Sequence, residues 1–96
     1  MNYLKFRWDE IRGDDHADWG GSWWYFEFGP DGYPVRQIEV YDSGVRLLYG
    51  PDNPENEFGG LSYGHESDMD RPPDQVLSLA EFEALWTTGP CYTSRA

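Results

Sequence analysis

A chain of 96 residues can bury roughly 60–65% of the surface its unfolded form exposes, enough for one hydrophobic core and not for two. Aromatic residues make up 18% of it while Leu, Ile and Val are sparse, so the core has to be built from Trp, Tyr and Phe. Acidic residues number 18 against 7 basic ones, a formal charge of −11; nucleic acid and anionic membrane are thereby disfavoured as direct partners, and a basic protein surface is the natural complement.

Residues Tyr3 to Trp8 alternate, with Leu4, Phe6 and Trp8 on one side and Tyr3, Lys5 and Arg7 on the other, the period of a half-buried strand. The stretch "DEIRGDDHADWGG" then breaks the pattern with glycines and carboxylates and reads as an acidic loop carrying Trp19. A second strand follows at Ser22 to Phe28, "SWWYFEF", which places 5 aromatic rings in 7 residues. Alternation predicts Trp24, Phe26 and Phe28 in the core and Trp23 and Tyr25 on the outer face.

Turn chemistry at Pro30, Asp31 and Gly32 leads into a third strand over Tyr33 to Tyr41, with Ile38 and Val40 facing inward. Asp42-Ser43-Gly44 fits a three-residue hairpin loop with Gly44 in the left-handed position, followed by a fourth strand at Val45 to Tyr49. Residues 50–74 are rich in proline and glycine and carry 7 carboxylates against 1 arginine. Ordering such a segment costs about 1–2 kcal/mol per residue in backbone entropy; Phe58 and Tyr63 are the expected pins.

A short apolar pair, Val76-Leu77, precedes "SLAEFEALWTTGP". Ser78 as the cap, Glu81 three residues on and a Leu77 to Phe82 staple predict a helix over 79–87, stopped by Thr88-Gly89-Pro90. Leu79, Phe82, Leu85 and Trp86 form its apolar stripe. The expected fold class is α+β: an antiparallel sheet of four strands or slightly more, with one C-terminal helix packed on the face carrying Leu4, Phe6, Trp24, Phe26, Ile38 and Val40, and with Trp86 mostly buried. Residues 1–90 form the single domain, with 50–74 as its long acidic loop, and 91–96 a tail.

Two patterns stand out along the chain: Tyr33-Pro34-Val35-Arg36-Gln37-Ile38-Glu39-Val40-Tyr41, ending at Gly44, and Ala80-Glu81-Phe82-Glu83-Ala84-Leu85-Trp86. Together they resemble a bacterial family of small acidic domains of unknown function, from which the acidic insertion before the second strand departs. The resemblance implies a shared fold and transfers no functional residue.

Signatures of catalysis are absent from the sequence. Asp14, Asp15, His16 and Asp18, and again His65, Glu66, Asp68 and Asp70, are clustered in sequence but lack the spacing of a calcium loop or a zinc helix, so no metal or other cofactor is expected. General acid–base work would need a carboxylate perturbed by burial, and Glu27 and Glu39 on neighbouring strands are the candidates expected to lie close together, with cross-strand pairing to Arg36 or Arg46 as the structural alternative. Cys91 has no partner for a disulfide and no histidine on a strand to activate it. Without an apolar leader or membrane-length run, a cytoplasmic protein is expected.

The sequence therefore points to a non-enzymatic, protein-binding domain. The expected type is an acidic immunity or inhibitor protein that would neutralise a basic toxin or nuclease through Asp14, Asp15, Asp18, Glu66, Asp68 and Asp70, with Trp19, Trp23 and Tyr25 as aromatic anchors. The alternative is a small-molecule-binding or regulatory domain built around an aromatic pocket.

Overall fold

The computed structural model describes residues 1–13, 15–51, 54–56, 59–62, 64–69 and 72–87, the side chains of Asn56 and Thr87 excepted. Alternating aromatic stretches form strands β1 (Asn2–Trp8), β2 (Ser22–Phe28) and β3 (Pro34–Tyr41), joined to β4 (Arg46–Tyr49) by the expected hairpin. A two-residue pair, β5 (Glu55–Asn56) and β6 (Gly59–Gly60), forms a separate hairpin, and β7 (Gln75–Leu77) leads into helix α1 (Leu79–Thr87). The main sheet is antiparallel with order β4-β3-β2-β1-β7. The described residues make an α+β fold, a five-stranded antiparallel main sheet with one C-terminal α-helix; β7, too short for alternation to mark it, adds the edge strand beyond β1.

Local chemistry explains the joints. Gly44 takes the left-handed backbone at φ 98°, while its amide donates to Tyr41 O at 2.8 Å and Tyr41 N donates to Val45 O at 2.9 Å. At the helix start Ser78 N donates to Glu81 Oε1 at 2.8 Å and Glu81 N to Ser78 Oγ at 3.1 Å, the reciprocal capping box read from the sequence. Leu77 and Phe82 meet in one buried cluster, as the staple requires.

The expected assignment of faces is overturned. Directly opposed residues share a face, and the register pairs Trp23 with Val40 and Tyr25 with Ile38, whereas Trp24 lies opposite Glu39 and Phe26 opposite Gln37. Ile38 and Val40 therefore belong with Trp23 and Tyr25, and α1 packs there: Tyr3, Tyr25, Ile38, Leu48, Leu77 and Phe82 form one core cluster, with Trp23, Val40, Leu85 and Trp86 against it. Tyr25 is a core residue rather than an outer-face anchor. Leu79 is exposed, so the stripe α1 packs on the sheet is the buried Phe82 flanked by the half-buried Leu85 and Trp86.

Leu4, Phe6, Trp24, Phe26 and Phe28 lie on the opposite face, which the long connection covers. Met69 packs on the Phe6, Phe26 and Phe28 cluster, and Leu61 on Tyr41, Leu47 and Tyr49. Phe58 and Tyr63, the expected pins, lie outside the described residues; a polar pin appears beside them in the chain, where Gln37 donates to Gly60 O at 3.2 Å and accepts from Ser62 N at 2.9 Å. A second one is the 3-10 turn Glu66–Asp68, where Glu66 N donates to Gly32 O at 2.8 Å and His65, accepting from Ser67 N at Nδ1, donates from Nε2 to Asp31 O at 3.0 Å. The sheet is covered on both sides, by α1 and by the long connection.

Candidate functional site: a recess over a buried glutamate

On the connection-covered face, β3 presents Gln37, Glu39 and Tyr41 at every second position. Gln37 is 0% exposed, Glu39 3% and Tyr41 5%, so three hydrogen-bonding side chains sit where a strand normally buries hydrocarbon. They satisfy one another. Tyr41 Oη donates to Glu39 Oε1 at 2.6 Å, Gln37 Nε2 donates to Glu39 Oε2 at 2.8 Å, and Arg12 Nη1 donates to Tyr41 Oη at 3.1 Å. Burial holds the Glu39 carboxyl above the usual carboxylate range, partly offset by the Tyr41 hydroxyl, the Gln37 amide and the Arg12 charge. Burial likewise raises the Tyr41 hydroxyl, and the neighbouring Glu39 adds to the effect.

Glu39 lies at the floor of a recess of about 200 Å³ lined by Trp8, Glu10, Arg12, Trp24, Tyr41 and the Gly59–Gly60 backbone, among others. Register builds it: Trp8 opposes Ser22 and Ser22 opposes Tyr41, while Phe6 opposes Trp24 and Trp24 opposes Glu39. Trp8 and Trp24 are therefore neighbours on one face, with ring centroids 6.2 Å apart. The Trp24 indole N–H donates to the buried Ser22 hydroxyl at 2.7 Å, so what Trp24 offers the recess is its ring. Trp8 is 48% exposed, and Gly59 and Gly60 line the recess with backbone alone.

The volume is below the roughly 300–1,000 Å³ of sites for drug-sized ligands, which suits a single functional group or side chain. Its charged lining is Glu10 and Glu39 against Arg12, and the indole faces carry the negative pole of the aromatic quadrupole. Walls and floor together favour a cation.

The residues singled out in the sequence fall elsewhere. Trp19, half-buried, stacks on His16 with centroids 4.3 Å apart and packs on Tyr41 at 5.1 Å, near the recess but not lining it. Asp15 and Asp18 are exposed beside it; Glu66 accepts from Asn2 Nδ2 at 2.9 Å, and Asp68 is exposed. Asp14 and Asp70 lie outside the described residues. The first acidic loop joins the sheet where Ser43 N meets Trp19 O, the second where Glu66 N meets Gly32 O, so the length of β2, roughly 20 Å, separates them. No group of three or more His, Cys, Asp or Glu converges among the described residues.

Glu27 and Glu39 are not neighbours either; they lie on opposite faces. Glu27 is held on the helix side by Arg36, whose Nε and Nη2 donate to its two oxygens at 2.6 and 3.0 Å, and this pairing keeps the Glu27 carboxyl below its usual range. Arg36 also donates to Glu83 on α1 and lies 5.0 Å from the Phe82 and Trp86 rings. That network is a structural latch, as the pairing alternative supposed for Glu27. Arg46 plays no such part for Glu39, being on the other face. Cys91 lies outside the described residues.

No family model, curated protein or solved structure matches the chain. No helix among the described residues is long and apolar enough to cross a membrane.

Proposed function

We propose that the protein is a binding domain that takes a cationic group into the recess over Glu39, and that a lysine or arginine side chain on a basic protein supplies that group. The observation that carries this reading is the buried Glu39 carboxylate lining a recess that the Trp8 and Trp24 rings also line. The formal charge of −11 would steer a basic partner toward the domain, raising its association rate in a salt-dependent way. An acidic inhibitor or immunity protein directed at a toxin or nuclease has this combination of size and charge, an analogy that supplies the partner class and not the site. A raised carboxyl also suits acid–base chemistry, but Tyr41 and Gln37 engage both Glu39 oxygens, which favours recognition over turnover.

The second reading, a free small cation such as an amine, is favoured by the aromatic walls of the recess. Titration of the 15N-labelled protein with butylammonium, N-methylguanidinium and a lysine-rich peptide separates the two. Protein recognition predicts saturable shifts of the Trp8 and Trp24 indole signals by all three probes, with the peptide at least about ten-fold tighter because its other basic groups engage the surface carboxylates. Equal affinity for peptide and free amine would favour the small ligand, and absence of shifts at both indoles would remove the recess from recognition altogether.

A further inference from the structure

The polar groups that line the recess already hold donors from the chain itself. Glu39 Oε1 accepts from Tyr41 Oη and Glu39 Oε2 from Gln37 Nε2, while Ser22 Oγ accepts from the Trp24 indole at 2.7 Å and Tyr41 Oη from Arg12 at 3.1 Å. Gly60 O, in the same lining, accepts from Gln37. A primary ammonium brings several N–H donors and a guanidinium more. Either would have to share these acceptors with donors that are in place, or give up hydration that nothing replaces, and a charged N–H left unmade is costly. Glu10, the other carboxylate of the lining, is exposed, and an exposed ion pair competes poorly with water.

What the recess has in surplus is ring surface and negative charge. Among the described residues the chain's own cations stand over other rings: Lys5 lies 4.3 Å from the Trp23 centroid, Arg12 lies 5.3 Å from Trp19 and 5.8 Å from Tyr41, and Arg36 lies 5.0 Å from both Phe82 and Trp86. None of the described cations stands over Trp8 or Trp24, the two indoles of the lining, whose planes are inclined to one another by 49°. Size points the same way. The recess of about 200 Å³ is several times the roughly 30 Å³ that a water molecule occupies in the liquid. A bare ammonium group is about the size of that water, so it would leave most of the space unfilled.

We propose that the recess selects a quaternary ammonium, a nitrogen carrying methyl groups and no N–H, over a primary ammonium or a guanidinium. The inference rests on the cation reading of the same recess and adds its selectivity. A quaternary ammonium needs no acceptor, so the engaged Glu39, Ser22 and Tyr41 oxygens keep their partners. It retains the attraction to the Glu39 charge, and its polarised methyl groups fill the space against the Trp8 and Trp24 rings, the combination by which aromatic sites take such cations. A trimethylated lysine on a basic protein and a free quaternary amine present the same head group.

The test is titration of the full chain with two matched pairs of probes of equal charge, read at the Trp8 and Trp24 indole signals. One pair is butylammonium and butyltrimethylammonium; the other is a short basic peptide with its central lysine either unmodified or trimethylated. In each pair the methylated form should bind about ten-fold tighter. A trimethylated peptide that binds tighter than butyltrimethylammonium assigns the head group to a protein, and equal affinity assigns it to a free amine; both support the selectivity. Trp8→Leu should reduce the preference to within about two-fold, and Trp8→Phe, which keeps a ring, should retain part of it. Equal or tighter binding of the unmethylated probes, with both indoles shifted, would overturn the selectivity and leave the cation reading standing, as would a preference unchanged in Trp8→Leu. Absence of indole shifts with all the probes would overturn both.

Discussion

Tyr41 donates its hydroxyl hydrogen to Glu39 at 2.6 Å from a position two residues along the same strand and on the same face. Both side chains are buried beneath the covering connection, so the two polar groups turn to one another rather than to water. The contact joins the fold to the recess: it satisfies one oxygen of a buried carboxylate and, through Arg12, ties the first loop to the floor.

Replacing Tyr41 by Phe removes the donor while leaving nearly the same ring. Glu39 Oε1 and Arg12 Nη1 both lose a partner, so the expected loss of stability is about 1–3 kcal/mol, measured by urea denaturation. An unchanged midpoint would show that the hydroxyl contributes nothing.

The Glu39 carboxyl is held above its usual range by burial, so the fold favours its protonated form. That contribution is fully present below the unfolded glutamate value of about 4.3 and is lost as pH rises through the raised folded value. Glu27 acts in the opposite sense, its contribution being present above the unfolded value and lost as pH falls through its lowered one. In a comparison of wild type with Glu39→Gln the Glu27 contribution is common to both and cancels. The wild type should lose melting temperature relative to the variant as pH rises above the unfolded glutamate value of about 4.3. A difference that stays constant over that rise would contradict the burial of the charge.

Arg36 is a latch between sheet and helix, with Glu27 buried beneath it. Removing only the cation strands a buried carboxylate, so Arg36→Ala should cost about 3–5 kcal/mol, while adding Glu27→Met to Arg36→Met should recover part of the loss. Additive losses in the double variant would show that the two residues are not coupled.

Much of this architecture was legible in the sequence because local chemistry dictated it: the Gly44 hairpin, the Ser78–Glu81 cap and the alternation of β1 and β2 needed only near neighbours. The face covered by α1 was not. β2 is aromatic on both faces, so apolar alternation gives no preference, and a one-residue difference in the β2–β3 register reverses every assignment. The bulge between Glu27 and Phe28 is such a detail, invisible in composition. The recess was hidden for a related reason: Gln37, Glu39 and Tyr41 alternate with Ile38 and Val40 as a solvent face would, and only the long connection folding over them buries them. The available clue was "Q-I-E-V-Y" opposite an aromatic strand, a polar row facing an apolar one.

Gly32 reports on how that connection is held. It has φ +83°, and a Cβ there would meet the His65 imidazole ring. Gly32→Ala should cost about 1–2 kcal/mol for the left-handed backbone alone and loosen the Glu66–Asp68 turn. Faster hydrogen exchange at the Glu66 amide, which bonds to Gly32 O, is the expected sign; wild-type protection would show that the turn is held by other contacts.

The central claim is that the recess over Glu39 receives a cation. Its most direct measurement is binding of a lysine-rich peptide to wild type, Glu39→Gln and Trp24→Leu, followed by calorimetry at two salt concentrations, with folding of each variant checked by circular dichroism. The account predicts folded variants that each bind at least about ten-fold more weakly, as loss of a charge-assisted contact or a cation–π wall requires, and a remaining affinity that falls as salt rises. Wild-type affinity in both folded variants would contradict it and return recognition to the acidic loops.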